Sequence, residues 1–241
     1  MKTVATTGVM LSIPSVVTSA MNISQAAKIT LQKGDVVLFQ GDSITDAGRN
    51  KANRTPNTPQ MMGTGYVNHA AGDLLFNHTE ENLTVYNMGI SGDKVPQLAD
   101  RWDADCISLK PNVLSILIGV NDYWHINPQN SAGNAKQYED EYRALLKRTV
   151  GALPNVKLII GEPFAVKGLS AVNDSWYPAF DRYREAARKL ADEFKAKFIP
   201  YQKVYDEALK LAPATYWTHD GVHASVAGAY LMANAWLQAV K

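Results

Sequence analysis

A single cysteine, Cys106, leaves the chain unable to form an intrachain disulfide or a cysteine-based metal cluster. No apolar stretch approaches the roughly 20 residues that a membrane-spanning helix needs. Charge of one sign is equally scarce: Lys and Arg number 24 against 23 Asp and Glu, a formal net charge of +1 with no long run of either. A nucleic-acid binder needs a basic face to neutralise phosphates, and none is written here. These absences direct attention to a small or neutral partner rather than to nucleic acid or a bilayer.

What is present is hydrophobic substance, 46% of 241 residues, enough for one sizeable core. The N-terminal stretch reads differently from the rest. Met1-Lys2 precedes a small-and-apolar run from Val4 to Ala20, resembling a weak secretory leader with a cleavage point after Ala20 or near Ala26-Ala27. Residues 1–28 are accordingly expected to be a leader, placing the protein in the periplasm or outside the cell. The alternative is a flexible extension on a cytoplasmic protein. Residues 29–241 are expected to form one catalytic domain.

Short apolar runs recur through that domain: Val36–Phe39, Leu83–Tyr86, Val113–Ile118, Val156–Ile160 and Phe198-Ile199. Runs this short and this apolar suit strands covered on both faces. Between them lie helical spacings. Tyr138, Tyr142, Leu145 and Thr149 form one stripe, stopped by Gly151 and Pro154; Phe180, Tyr183, Ala187, Leu190 and Phe194 form another; Val226, Tyr230, Ala233, Leu237 and Val240 predict a third. Alternation of this kind implies βαβ units and a mostly parallel five-stranded sheet, with ligands outside the carboxyl ends of the strands.

Three of these strands run directly into polar, glycine-containing loops: Gly41–Thr45, Asn87–Gly92 and Gly119–Asp122. Parallel strands bring all three to one edge, and a fourth cluster, His219–His223, precedes the last helix. The chemistry suited to these residues is acyl transfer. Serine needs a base within hydrogen-bond reach, and imidazole needs a carboxylate to fix its tautomer. Ser43, His223 and Asp220 supply the three groups. The backbone N–H groups of Ser43 and Gly92 and the Asn121 amide are candidate donors for the oxyanion. No cofactor is called for.

Each block has a plainer reading. Ser43 and Asp42 are good helix N-caps, Asn121 and Asp122 are common turn residues, and Gly92 can simply relieve backbone strain. His219 and His223, four apart, would suit zinc on one helix face, but no third ligand is nearby and the Glu of the usual helical motif is missing. Low-weight candidates for substrate contact are Arg49, Trp102, Trp124 and His219. The loop from Asn50 to Met62 is a candidate border of the pocket. Arg49 and Arg101 also suit structural ion pairs, and Cys106 a small buried hydrophobe.

Taken together, Gly41-Asp42-Ser43, Gly92, Gly119-Val120-Asn121-Asp122 and Asp220-Gly221-Val222-His223 resemble the SGNH or GDSL-like lipases and acylhydrolases. The longer strings Gly41–Arg49, Gly63–Val67 and Gly119–Trp124 are similar to the bacterial SGNH acetylxylan esterases of that family. The resemblance implies a flavodoxin-like, three-layer α/β/α fold. By position it makes Ser43 the nucleophile, Gly92 and Asn121 oxyanion donors, and Asp220 and His223 the rest of a triad. It implies a short-chain esterase removing O-acetyl groups from a carbohydrate such as acetylated xylo-oligosaccharide, with homo-oligomers allowed. Within the same chemistry the alternatives are a lipid-directed esterase, thioesterase or lysophospholipase. Outside it stands a catalytically silent carbohydrate- or flavin-binding module.

Overall fold

The computed structural model describes residues 28–125 and 134–241, so the leader-like stretch and its cleavage points lie outside the described residues. Five strands form one sheet: β1 (Val36–Gly41), β2 (Thr84–Asn87), β3 (Val113–Leu117), β4 (Lys157–Gly161) and β5 (Lys197–Ile199). Their order is β2-β1-β3-β4-β5 and every neighbouring pair is parallel. The expected strands are therefore all present, and the sheet is wholly rather than mostly parallel. Chain direction reverses its sideways march between β1 and β3, which opens a crevice at their carboxyl ends.

Ten α-helices accompany the sheet among the described residues: α1 (Ser43–Asp46), α2 (Pro59–Met62), α3 (Tyr66–Asn77), α4 (Val95–Asp105), α5 (Val120–Trp124), α6 (Ala135–Ala152), α7 (Asp181–Glu193), α8 (Tyr201–Ala208), α9 (Ala214–Trp217) and α10 (Val226–Leu237). Helices α3, α8 and α10 pack together on one face, and α4, α6 and α7 on the other, giving the three layers. Strands β1 and β3 are buried almost throughout because helices cover both their faces. Ser115, like Gln40 of β1, is a polar residue in these buried strands. It is a buried hydroxyl in the middle of β3, and it accepts the Trp236 indole N–H at 2.9 Å. Trp236 also packs on Phe39 of β1 at 4.8 Å between ring centroids. One side chain of α10 is thus fixed to both central strands.

Three expectations change here. The stripe read along α10 holds only in part: Val226 and Tyr230 are exposed, while Ala233 and Val240 are buried as read and Ala229, Met232 and Trp236 point inward with them. This helix is apolar around nearly its whole circumference, so spacing alone could not choose the buried side. Trp102 is no substrate contact. It is fully buried, its indole donating to the Thr149 hydroxyl at 3.0 Å across the α4–α6 seam. The Asn50–Met62 loop spends its tip on the sheet edge. Asn57 donates from its backbone to Val85 O, accepts from Val85 N at 2.7 Å and donates from its amide to Leu83 O, so it closes the open side of edge strand β2.

Replacing Trp102 with Phe should cost about 1–2 kcal/mol of stability, because the smaller ring leaves a gap and the Thr149 hydroxyl, still donating to Leu145 O, loses its indole donor. Denaturant unfolding measures this, and the KM for an ester substrate should stay unchanged. A raised KM with unchanged stability would return Trp102 to the site.

Candidate active site

The nucleophile loop begins where β1 ends. A Cβ at Gly41 would lie 2.3 Å from Leu117 O and 2.4 Å from Thr45 Oγ1, so only glycine lets β1 and β3 finish this close together while the chain turns into α1. Asp42 then caps α1, accepting from Ile44 N at 3.0 Å. Ser43 is the first helical residue. The plain N-cap reading therefore belongs to Asp42, which leaves the Ser43 hydroxyl available.

That hydroxyl lies 2.8 Å from His223 Nε2. On the far side of the ring, His223 Nδ1 is 2.7 Å from Asp220 Oδ2. Asp220 Oδ1 accepts the backbone N–H groups of Val222 and His223, each at 2.8 Å, so one carboxylate shapes the loop and orients the imidazole together. With Nδ1 donating to the carboxylate, Nε2 is the nitrogen left to accept the serine proton. Burial pushes the Asp220 carboxyl up, but the three donors from Val222 and His223 outweigh it and hold it below its ordinary range.

His219 and His223 do not share a helix face. They close a tight loop through His219 N–H to His223 O at 2.9 Å, and α10 starts only at Val226. Both ring nitrogens of His223 are engaged, and among the described residues no three His, Cys, Asp or Glu gather as metal ligands. His219 is exposed at this loop. Trp124 closes in from α5, its ring 6.5 Å from that of His223 and stacked on His125.

The two remaining loops bring donors. The Gly92 backbone has φ +87°, a left-handed value that disfavours any side chain although a Cβ there would meet nothing within 4 Å. Among the described residues no acceptor takes its N–H. Asn121, buried at the start of α5, gives one amide hydrogen to Asp93 O at 3.1 Å and keeps a second free for another acceptor. Arg49 departs from expectation. It is buried and donates from Nε to Gly89 O at 2.7 Å, holding the loop from behind rather than meeting substrate. Arg101 does form the ion pairs expected of it, with Asp93 and Asp105.

Sequence reasoning did not single out the carboxyls beneath the site. Burial pushes Asp42 up to about 7, opposed by the Ile44 N–H and reinforced by Asp122 and Asp93. Asp122 rises to about 7 as well, again chiefly through burial. Each has one buried oxygen without a hydrogen-bond partner among the described residues. A carboxyl whose folded pKa is raised supports the fold fully below its unfolded value, near 4, and that support drains away as pH climbs through the folded value. Asp42→Asn, which mimics the protonated acid, should therefore gain stability relative to the parent as pH rises from about 4 to 8. Melting temperatures across that range measure it; a difference that does not change with pH would mean that Asp42 is ionised in the fold.

The chain matches the GDSL-like lipase/acylhydrolase family model over residues 39–231. It is 35% identical to an acetylxylan esterase from Geobacillus stearothermophilus over 209 residues, 86% of this chain and 94% of that protein. The crystal structure of that enzyme superposes with a TM-score of 0.76 at 33% identity, covering 87% of this chain and 95% of the other. Catalytic mutants of it have been solved with a serine, an aspartate and a histidine each changed to alanine, the last two spaced as Asp220 and His223 are. A protein from Parabacteroides merdae described as a GDSL-like lipase superposes with a TM-score of 0.86 at 50% identity, over 88% of this chain and 98% of that one. With its nucleophile loop, donor loops and His-Asp loop gathered at one sheet edge, the chain belongs to the GDSL-like lipase/acylhydrolase family.

Proposed function

We propose that the protein is a serine esterase that removes O-acetyl groups from a carbohydrate such as an acetylated xylo-oligosaccharide. The observation that carries this reading is the 2.8 Å contact between Ser43 Oγ and His223 Nε2, backed by Asp220. Ser43 Oγ attacks the acetyl carbonyl carbon while Nε2 takes the hydroxyl proton. Negative charge develops on the carbonyl oxygen, where the N–H groups of Ser43 and Gly92 and the free amide hydrogen of Asn121 receive it. Collapse breaks the ester bond, and the imidazolium returns its proton to the departing sugar oxygen. Water, deprotonated by the same nitrogen, then attacks the acetyl-serine; acetate leaves as the imidazolium returns that proton to Ser43 Oγ. Water is the only co-reactant in this sequence.

The substrate class rests on two supports. The Geobacillus relative is named for acetylxylan, and Trp124 sets an aromatic face beside the reacting histidine, a surface on which a sugar ring can stack. His219 stands directly before Asp220, where one solved variant of that enzyme has its tryptophan replaced. We assign it to the rim of the acyl-acceptor site.

Ser43→Ala should lower turnover of 4-nitrophenyl acetate on the order of 10⁴-fold or more with the fold intact. Near-parental turnover would remove Ser43 from the reaction. Across 4-nitrophenyl esters, activity should fall steeply from acetyl to octanoyl; a rise with chain length would favour a lipid substrate. Trp124→Ala should raise KM for acetylated xylotriose about tenfold, far more than for the aryl acetate.

A further inference from the structure

Resting on the esterase reading, we propose that Asp46 is a positioning residue that sets the oxyanion donors relative to the nucleophile. Asp46 is the last residue of α1, three positions after Ser43, and is fully buried. Its Oδ2 accepts the Ser91 backbone N–H at 2.9 Å and the Ser91 hydroxyl at 2.8 Å, and it pairs with Lys51 Nζ at 2.7 Å. Ser91 is the residue immediately before Gly92. One carboxylate oxygen therefore joins the turn that carries the attacking hydroxyl to the peptide that carries the Gly92 N–H.

The rest of that loop is held by other groups. Asn87 donates its amide to Thr45 O and Met62 O, Arg101 donates to Met88 O, Arg49 donates to Gly89 O, and Ile90 N–H reaches Gly41 O. Asp93, on the other side, takes Arg101 on its carboxylate and the Asn121 amide on its carbonyl. Among the described residues both Ser91 donors go to Asp46, and the N–H of Gly92, in its left-handed backbone, meets no acceptor. The chain there is set by the Ser91 bonds to Asp46 together with the turn that the Asp93 N–H closes onto Ile90 O at 3.2 Å. Although burial pushes the Asp46 carboxyl up, Lys51 and the two Ser91 donors bring it below its ordinary range, so it is ionised at neutral pH, when the acceptor strength matters.

A donor displaced by about 1 Å weakens transition-state stabilisation by about 10²-fold while leaving ground-state binding largely intact. The test compares the parent with Asp46→Ala, Asp46→Asn and Ser91→Ala on 4-nitrophenyl acetate, with methylboronic acid as a probe that Ser43 converts to a tetrahedral anion. For Asp46→Ala, kcat should fall about 10²-fold with KM within about threefold, and the boronate Ki should rise in parallel with the loss in kcat/KM. Asp46→Asn, which keeps one acceptor oxygen, and Ser91→Ala, which keeps the N–H bond, should fall between the parent and Asp46→Ala and remain measurable if the alanine variant fails to fold. Parental kcat/KM in the folded variants would overturn the assignment. So would a lowered melting temperature with an unchanged boronate Ki, the pattern of a purely structural residue. A parent protein inert on the aryl acetate would instead end the esterase reading itself, before any variant is compared.

Discussion

A neutral serine hydroxyl is a poor nucleophile, and in the esterase reading we propose, the short hydrogen bond from Ser43 to His223 is the interaction that changes that. It joins residues 180 positions apart, so most of the fold can be understood as the means of holding its two ends still. Ser43 is fixed by the parallel pairing of β1 with β3 and by the close approach at Gly41. His223 is fixed twice over. Asp220 binds its ring and its backbone, and Trp236 ties the following helix to Ser115 and Phe39 in the centre of the sheet. A small bridge reinforces this: Ile29 and Leu31 pair with Ala239 and Lys241, so α10 cannot swing away without breaking it.

Electrostatics sorts carboxyls of one chemical type into separate tasks. Asp220 is held ionised by three donors and can balance an imidazolium. Asp42 and Asp122, deeper and with fewer donors, are pushed towards neutrality. Were they charged, negative potential beneath the nucleophile would oppose an oxyanion forming above it. Burial lessens that opposition by leaving both only partly ionised at neutral pH. Asp46 lies between these cases: it is buried, yet ionised by Lys51 and Ser91.

The five strands and the helices over 135–152 and 181–193 were legible because short buried strands and amphipathic stripes leave strong patterns; the helix over 226–237 was legible as a helix but not by its buried side. The meeting of Ser43, His223 and Asp220 was legible too, since acyl transfer demands those side chains and the loops lie at strand ends. Side-chain direction was not legible. Trp102 and Arg49 have the composition of binding residues, but only the packing of α4 on α6 and the course of the Met88–Gly92 loop reveal that both face inward. On α10 the apolar character is so evenly distributed that Val226 and Tyr230 could be assigned outward only from contacts. Asp46 and the raised carboxyls were invisible for a related reason: their roles depend on which donors approach them, and those donors come from distant segments.

The most direct test is to treat the folded protein with a fluorophosphonate and locate the adduct by peptide mass spectrometry. One label per chain on Ser43 is predicted, with labelling slowed by orders of magnitude in His223→Ala. A label on another serine, or equal labelling of Ser43 with and without the histidine, would contradict activation of this hydroxyl by this imidazole.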